Sequence, residues 1–440
     1  MYACAGSIPA FGTTQNQVLP SSPTSVGFFR YLRFEVPLAL HSFPQKHRRD
    51  TMIPETMSRQ ERFEAVVALE QPDRVPVMPL MTAFAVRCQG LTQGEVWREL
   101  DKGFKAMVDT FNDLGGFDKL YKPNLYWPMI GGRFCSAPAR NLVPGRDLPE
   151  DALNQIDERE LFTRDDYDKV AALGWNAFWG ERYERMSGRS MEQLVSTQNR
   201  LLNQYIKEVE ACHSQGIYPL FGAYVDSSIM AFSMCRTLTQ FTMDLYEVPE
   251  KVSLAMDASC DDLIQNALDV ASLTKIPLVF IVLERGSGFY YRLDIFEQFE
   301  WPYLQRYVDA FVSEGLTPWF HFDTDWGLNL PYLKQLPKGK CVCDLDGTTD
   351  ILKAKEILGG HMCISGDVPA SLLTLGTPEE VHDYCQRLID VVGRGGGFFL
   401  TTGCECPVDA KFENVKMMIE VAKTYTGGRK RRGRWRPKGK

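Results

Sequence analysis

Residues 276–284, Ile276-Pro277-Leu278-Val279-Phe280-Ile281-Val282-Leu283-Glu284, carry an apolar run that stops at a carboxylate. The run does not alternate polar with apolar, so both faces of the strand it predicts must be buried. That is the signature of a parallel sheet covered by helices. A helical pattern follows over about 294–314, and then a second run, Pro318-Trp319-Phe320-His321-Phe322. Strand, helix and strand in this order make a βαβ unit.

The unit recurs in both directions. Toward the N-terminus the spacing predicts a helix over about 195–214, a strand over 217–224, and helices over about 236–247 and 250–272 with Pro249 between them. Toward the C-terminus it predicts a helix over 328–336, a strand over 341–345, a helix over 349–358 and a strand over 361–365. Helix 378–393, strand 397–402 and a last helix over about 411–424 complete the series. Ser58-x-x-Glu61 and Thr92-x-x-Glu95 are capping boxes that open helices running to Ala68 and to about Leu114. Thr377-Pro378-Glu379-Glu380 is a third, with proline at the first helical position. A short strand begins near Pro76-Val77, and residues 117–135 read as a strand and then a loop. Residues 136–190 read as a Pro- and Asp-rich loop with short helices, an insertion over one face. Roughly eight such units in about 370 residues fit a (β/α)8 TIM barrel, an α/β fold, better than an open sheet. No G-x-G-x-x-G follows a strand, which removes the main argument for a dinucleotide fold.

Polar residues then fall at the C-terminal ends of successive strands: Glu284, His321 with Asp323, Asp344 with Asp346, Asp367, and Cys404 with Cys406. In a barrel these ends converge on one mouth, where such folds keep their chemistry. Taken singly, each has a plain explanation, an Asp as a helix cap or a Cys as a core thiol. His321 alone could be a core histidine bonded to Asp323. Strand side chains alternate faces, so His321 and Asp323 point the same way. An imidazole, a thiol and carboxylates are the donors zinc prefers, and a catalytic zinc takes three of them. His321 and Cys404 are the first candidates, with Asp323 and Glu284 beside them. Glu300, on the following helix, is within reach, and some of the five must lie behind the metal rather than on it. Trp319, Phe322 and Trp326, which hem in this group, are the expected lining of its pocket.

Several stretches resemble the uroporphyrinogen decarboxylase superfamily: Pro72-Asp73-Arg74-Val75-Pro76-Val77, Glu300-Trp301-Pro302-Tyr303, the His321-x-Asp323 strand, residues 366–381 (GDVPASLLTLGTPEEV) and Gly403-Cys404-Glu405-Cys406-Pro407. The resemblance covers about 57–424 and implies a (β/α)8 barrel. The decarboxylases hold a carboxylate-laden tetrapyrrole with arginines near the N-terminus. The corresponding stretch here, 78–85 (MPLMTAFA), has no arginine and no glycine, so it cannot neutralise that load. The other branch contains zinc-dependent methyltransferases that work with corrinoid proteins, with a His-x-Cys strand and a late Cys after Gly. His321 and Cys404 match this pattern, and Asp323 stands where the middle cysteine is expected. A harder donor makes a stronger Lewis acid toward oxygen. The resemblance thus implies transfer of a methyl group from a methoxy compound, most simply a methoxyaromatic, to Co(I) of a corrinoid protein. Some relatives of this kind use two glutamates and a histidine, which favours Glu284 and Glu300 as ligands. Tyr290, Tyr291 or Asp367 would complete the protonation, with Asp367 and Tyr290 taken as the catalytic pair. No D-x-H-x-x-G corrinoid motif occurs in the sequence, so cobalamin is expected from a partner. The alternatives are a decarboxylase of the uroporphyrinogen type and a non-catalytic barrel that binds a ligand or a corrinoid.

A net charge of −7 argues against a general nucleic-acid binder. Residues 427–440 carry eight Lys/Arg and no acid, so the remainder stands at −7 − 8 = −15. This basic tail reads most simply as a solvated end. Residues 1–51 are rich in Ser, Thr and Pro and lack periodicity, reading as a disordered or leader-like extension ahead of a barrel domain over 52–426. Several of the twelve cysteines sit inside predicted strands and helices, as buried reduced thiols do, which points to the cytoplasm. No stretch is long and apolar enough to span a membrane. A homodimer is the assembly left open.

Overall fold

The computed structural model describes residues 52–124, 140–187 and 190–426. The N-terminal extension to residue 51 and the basic tail lie outside the described residues. Strands β1 (Val77–Met78), β4 (Ala223–Asp226), β5 (Leu278–Leu283), β6 (Thr317–Phe322), β7 (Val342–Leu345), β8 (Cys363–Val368) and β9 (Phe398–Thr402) form one sheet. Their order is β1-β9-β8-β7-β6-β5-β4, and every neighbouring pair is parallel. A separate hairpin, β2 (Arg140–Leu142) with β3 (Gln155–Asp157), belongs to the insertion, which also carries helices Asp166–Leu173 and Trp175–Ser187.

Residues 118–121 bridge the gap between β1 and β4. The amide of Asp118 donates to the Val77 carbonyl, and Leu120 donates to Tyr218. Leu220 and Phe221, just ahead of β4, donate to Leu120 and Tyr121. The fold is therefore a TIM-type α/β barrel, although the regular ladder stops short of a full ring. The strand predicted over 217–224 is shifted, its regular part lying at Ala223–Asp226. Gly222 allows the crossing before it, since a Cβ there would lie 2.4 Å from the Ile276 carbonyl.

Long helices wrap the sheet, Pro249–Thr274 burying one stripe from Val252 to Thr274. Below the barrel, the helix Arg59–Val67 presents Phe63, which stacks on Trp319 at 6.4 Å and meets Phe399 edge-on at 6.0 Å. These rings close the N-terminal end. Arg62 and Arg74 are buried beside them, and both bond Asp118, at 2.6 and 2.7 Å. The same aspartate accepts the Val77 amide at 2.8 Å, tying helix, β1 and the bridging segment together.

Candidate metal centre at the barrel mouth

The inward positions of the strands stack in layers, as cross-strand register requires. His321 of β6 pairs with Asp344 of β7, and Asp344 with Ser365 of β8. Asp344 is fully buried, and one of its oxygens lies 2.7 Å from His321 Nδ1. Its other oxygen accepts from Thr401 Oγ1 at 3.3 Å, and Thr401 meets the Ser365 hydroxyl at 2.9 Å. This polar layer fixes the imidazole plane and leaves Nε2 facing the mouth. There it finds Asp323 Oδ1 at 3.6 Å and Cys404 Sγ at 3.6 Å.

One donor atom from each of His321, Asp323 and Cys404 lies within 4.8 Å of the other two. Zinc bonds of about 2.0–2.3 Å place tetrahedral donors roughly 3.3–3.8 Å apart, so two of the separations already match. Cys404 reaches this position through a close backbone approach. A Cβ on Gly403 would lie 2.2 Å from the Asp346 carbonyl oxygen. Thr402 Oγ1 then donates to the Cys404 carbonyl at 2.6 Å, and the Cys406 amide donates to Leu80 at 2.9 Å.

Electrostatics support a cation here. Burial pushes the Glu284 carboxyl well above its ordinary value, and the charges of Asp323, Cys404 and Asp226 add to the shift. Burial alone would lower the His321 imidazole, but Asp323, Asp344 and Cys404 outweigh it and hold it well above its usual range. Both shifts describe a buried cluster short of positive charge, and a bound divalent ion supplies that charge directly. The donor types, their spacing and the Asp344 carboxylate on His321 Nδ1 all fit zinc.

The remaining expected residues are distributed differently. Glu284 lies in the field of the cluster but outside the close group of three among the described residues. Glu300 is turned away from it. It is fully buried between helices Leu293–Phe299 and Trp301–Ser313, and its Oε2 accepts the Ile229 amide at 2.9 Å. The expectation of Glu300 as a ligand is thus corrected, because its carboxyl is taken up by the Ile229 amide at the start of helix Ser228–Arg236, outside the close group of three among the described residues. Asp367 also faces outward, accepting from Tyr384 on helix Pro378–Val391 at 2.8 Å. Burial raises it to about 6, yet the structure gives it to that helix and not to the His321 group. Tyr290 lies half-open at the rim, in the fields of Glu284 and Asp323. Tyr291 is buried and bonds Thr242.

The aromatic lining is corrected as well. Trp319 is part of the plug under the barrel. Phe322 packs on Trp326 at 4.6 Å, and Trp326 meets Phe296 edge-on at 6.3 Å, away from the imidazole. The rings that reach His321 are others. Phe280 lies 5.2 Å from its imidazole, and Phe221 and Tyr121 pack on Phe280 at 5.0 and 5.7 Å.

A parallel α/β barrel with donor side chains gathered at its C-terminal mouth defines an enzyme-type scaffold. A family model described as uroporphyrinogen decarboxylase (URO-D) matches residues 189–425, more than half of the sequence. The chain belongs to that enzyme family. Among curated proteins it is similar to the uroporphyrinogen decarboxylase of Neisseria gonorrhoeae strain FA 1090, 28% identical over 140 residues, 30% of this chain and 39% of that protein. It is also similar to the uroporphyrinogen decarboxylase of Azoarcus sp. strain BH72, 25% identical over 134 residues, 30% of this chain and 37% of that protein. The match thus spans under two-fifths of these relatives. Among solved structures, a methyltransferase from Methanosarcina mazei superposes with a TM-score of 0.62 over 83% of this chain and 98% of that one. At 14% identity this is a likeness of fold. Among the described residues no helix is long and apolar enough to cross a membrane.

Proposed function

We propose that this protein is a zinc-dependent methyltransferase that moves a methyl group from a methoxy compound, a methoxyaromatic by preference, to the Co(I) of a separate corrinoid protein. The observation that carries this reading is the group of His321 Nε2, Asp323 and Cys404 within 4.8 Å. Zinc held there supplies Lewis acidity toward the ether oxygen and makes a basic leaving group acceptable. Asp344 holds His321 in the tautomer that presents Nε2, and the burial of the site excludes water. Phe280, packed on the imidazole at 5.2 Å and backed by Phe221 and Tyr121, gives the site an apolar side suited to an aromatic substrate. Tyr290, partly exposed and in the field of Glu284, would return a proton to the departing oxygen. The Methanosarcina mazei methyltransferase supports the reading by its shared fold.

The test is anaerobic incubation with reduced corrinoid protein and a panel of methoxyaromatics, following the change from Co(I) to methyl-Co(III). About one zinc per chain is expected, lost in His321→Ala along with transfer. Full transfer by a metal-free preparation would sink the proposal. A decarboxylase is the second reading, favoured by the names of the curated relatives. The negative field that Asp323, Cys404 and Asp226 set up around Glu284 speaks against it, since a porphyrinogen brings several carboxylates of its own. Carbon dioxide release from uroporphyrinogen would restore it.

A further inference from the structure

We propose that Asp346, directly after β7, is a positioning residue of the metal centre: its side chain holds the turn that aims Asp323, and its carbonyl seats the glycine ahead of Cys404. This assignment rests on the zinc reading of the mouth proposed above and adds a residue that sets its geometry.

Asp323 follows the last residue of β6, and its amide still donates to the Leu283 carbonyl of β5 at 3.2 Å. The chain then turns sharply, since Thr324 takes φ of 71°. That left-handed conformation is unfavourable for a β-branched residue and persists only where its surroundings impose it. Here they act on both sides of the Asp323–Thr324 peptide. Trp326 Nε1 donates to the Asp323 carbonyl at 2.7 Å, and the Thr324 amide donates to Asp346 Oδ2 at 2.9 Å. With the peptides before and after Asp323 both fixed, the direction in which its side chain leaves the backbone is fixed as well. Asp346 is held in turn by Thr348, whose amide and hydroxyl donate to its two oxygens at 2.7 and 2.9 Å.

The backbone of the same residue reaches the cysteine. The Asp346 carbonyl lies so close to Gly403 that a Cβ there would stand 2.2 Å from its oxygen. Gly403 is anchored separately, its amide donating to the Val368 carbonyl at 2.9 Å. Asp346 therefore touches both the residue after Asp323 and the residue before Cys404. The donor atoms of those two side chains lie within 4.8 Å of each other, and Asp346 ties their loops together. His321 is set by Asp344, two positions earlier on the same strand. One strand end thus governs all three donors, the imidazole through Asp344 and the two loops through Asp346.

The test uses full-length protein and reads zinc affinity by chelator competition, together with the absorption spectrum of the Co(II)-loaded protein. Asp346→Ala is expected to weaken zinc about 10–100-fold, as loss of a supporting partner does. Its cobalt bands should shift as the donors spread from their tetrahedral positions. Glycine enters a left-handed turn without steric cost, so adding Thr324→Gly to Asp346→Ala should recover about tenfold in affinity. Unchanged affinity in Asp346→Ala overturns the proposal. A weaker affinity with an unchanged cobalt spectrum and no recovery in the double variant overturns it too, since that pattern reports only a lost negative charge. Should Asp346→Ala fail to fold, Gly403→Ala presses a methyl group on the same carbonyl, and an unchanged cobalt spectrum there overturns the proposal equally. Zinc binding with these effects but without methyl transfer to a corrinoid protein would remove the proposed function and leave this assignment standing.

Discussion

Asp344 is not one of the three clustered donors, yet it decides which nitrogen of His321 faces them. Its carboxylate takes Nδ1 at 2.7 Å, so Asp344→Asn leaves the cluster intact while weakening the hold on the tautomer. Zinc affinity is expected to fall about 10–100-fold, the usual effect of losing such a partner, measured by competition with a chromophoric chelator. An unchanged affinity would show that the ring is held by packing on Phe280 alone. The pairing was beyond sequence reading because cross-strand register is not written in either strand. What alternation could show, it showed: His321 and Asp323 share a face, and both belong to the close group. The same alternation also separates Phe322 from His321, which is why that ring packs on Trp326, away from the imidazole.

Elements with a continuous apolar core were legible to within a residue or two, as at Leu278–Leu283 and Phe398–Thr402. Helix Ser228–Arg236 was not, because all nine of its residues are buried and no amphipathic period survives. The helix expected over 236–247 begins afresh at Leu238, since Thr237 takes φ of 70° and breaks the turn. Likewise the stretch 294–314 divides at Glu300, with Pro302 starting the second helix. Asp118 joins three elements at the barrel floor, where Arg62 and Arg74 converge on it. Asp118→Ala leaves two guanidiniums without their shared buried carboxylate and frees the β1 amide. A loss of about 3–5 kcal/mol is expected in urea unfolding, with metal content unaffected in the folded fraction. A loss below about 1 kcal/mol would mean that Asp73 and Glu55 alone neutralise the pair.

Stability of the molecule as a whole should respond to pH at both ends of the range. Burial tends to raise Asp166, but Lys169, the Thr163 amide and hydroxyl, and Arg182 outweigh it and hold the carboxyl at about 2. That stabilisation is present above the unfolded value near 4 and is lost as pH falls toward 2, amounting to about 2 kcal/mol. Glu300 works in the opposite direction. Burial pushes it up to about 7 despite the opposing bonds from Ser227 and the Ile229 amide. Among the described residues its second oxygen has no hydrogen-bond partner, and it sits beside Gly286, 2.9 Å from where a Cβ would be. The folded state therefore keeps a proton that the unfolded chain releases near pH 4.3. Its contribution is complete below that value and is lost as pH rises through 7, costing roughly 3 kcal/mol. Glu300→Gln stays neutral throughout and still accepts from Ile229. In chelator-treated protein it should match wild type near pH 4.5 and exceed it by up to about 3 kcal/mol at pH 8. Parallel urea-unfolding profiles for the two proteins across that range would mean that Glu300 ionises normally. Its charge would then have to be met by water or by an ion drawn from the neighbouring mouth.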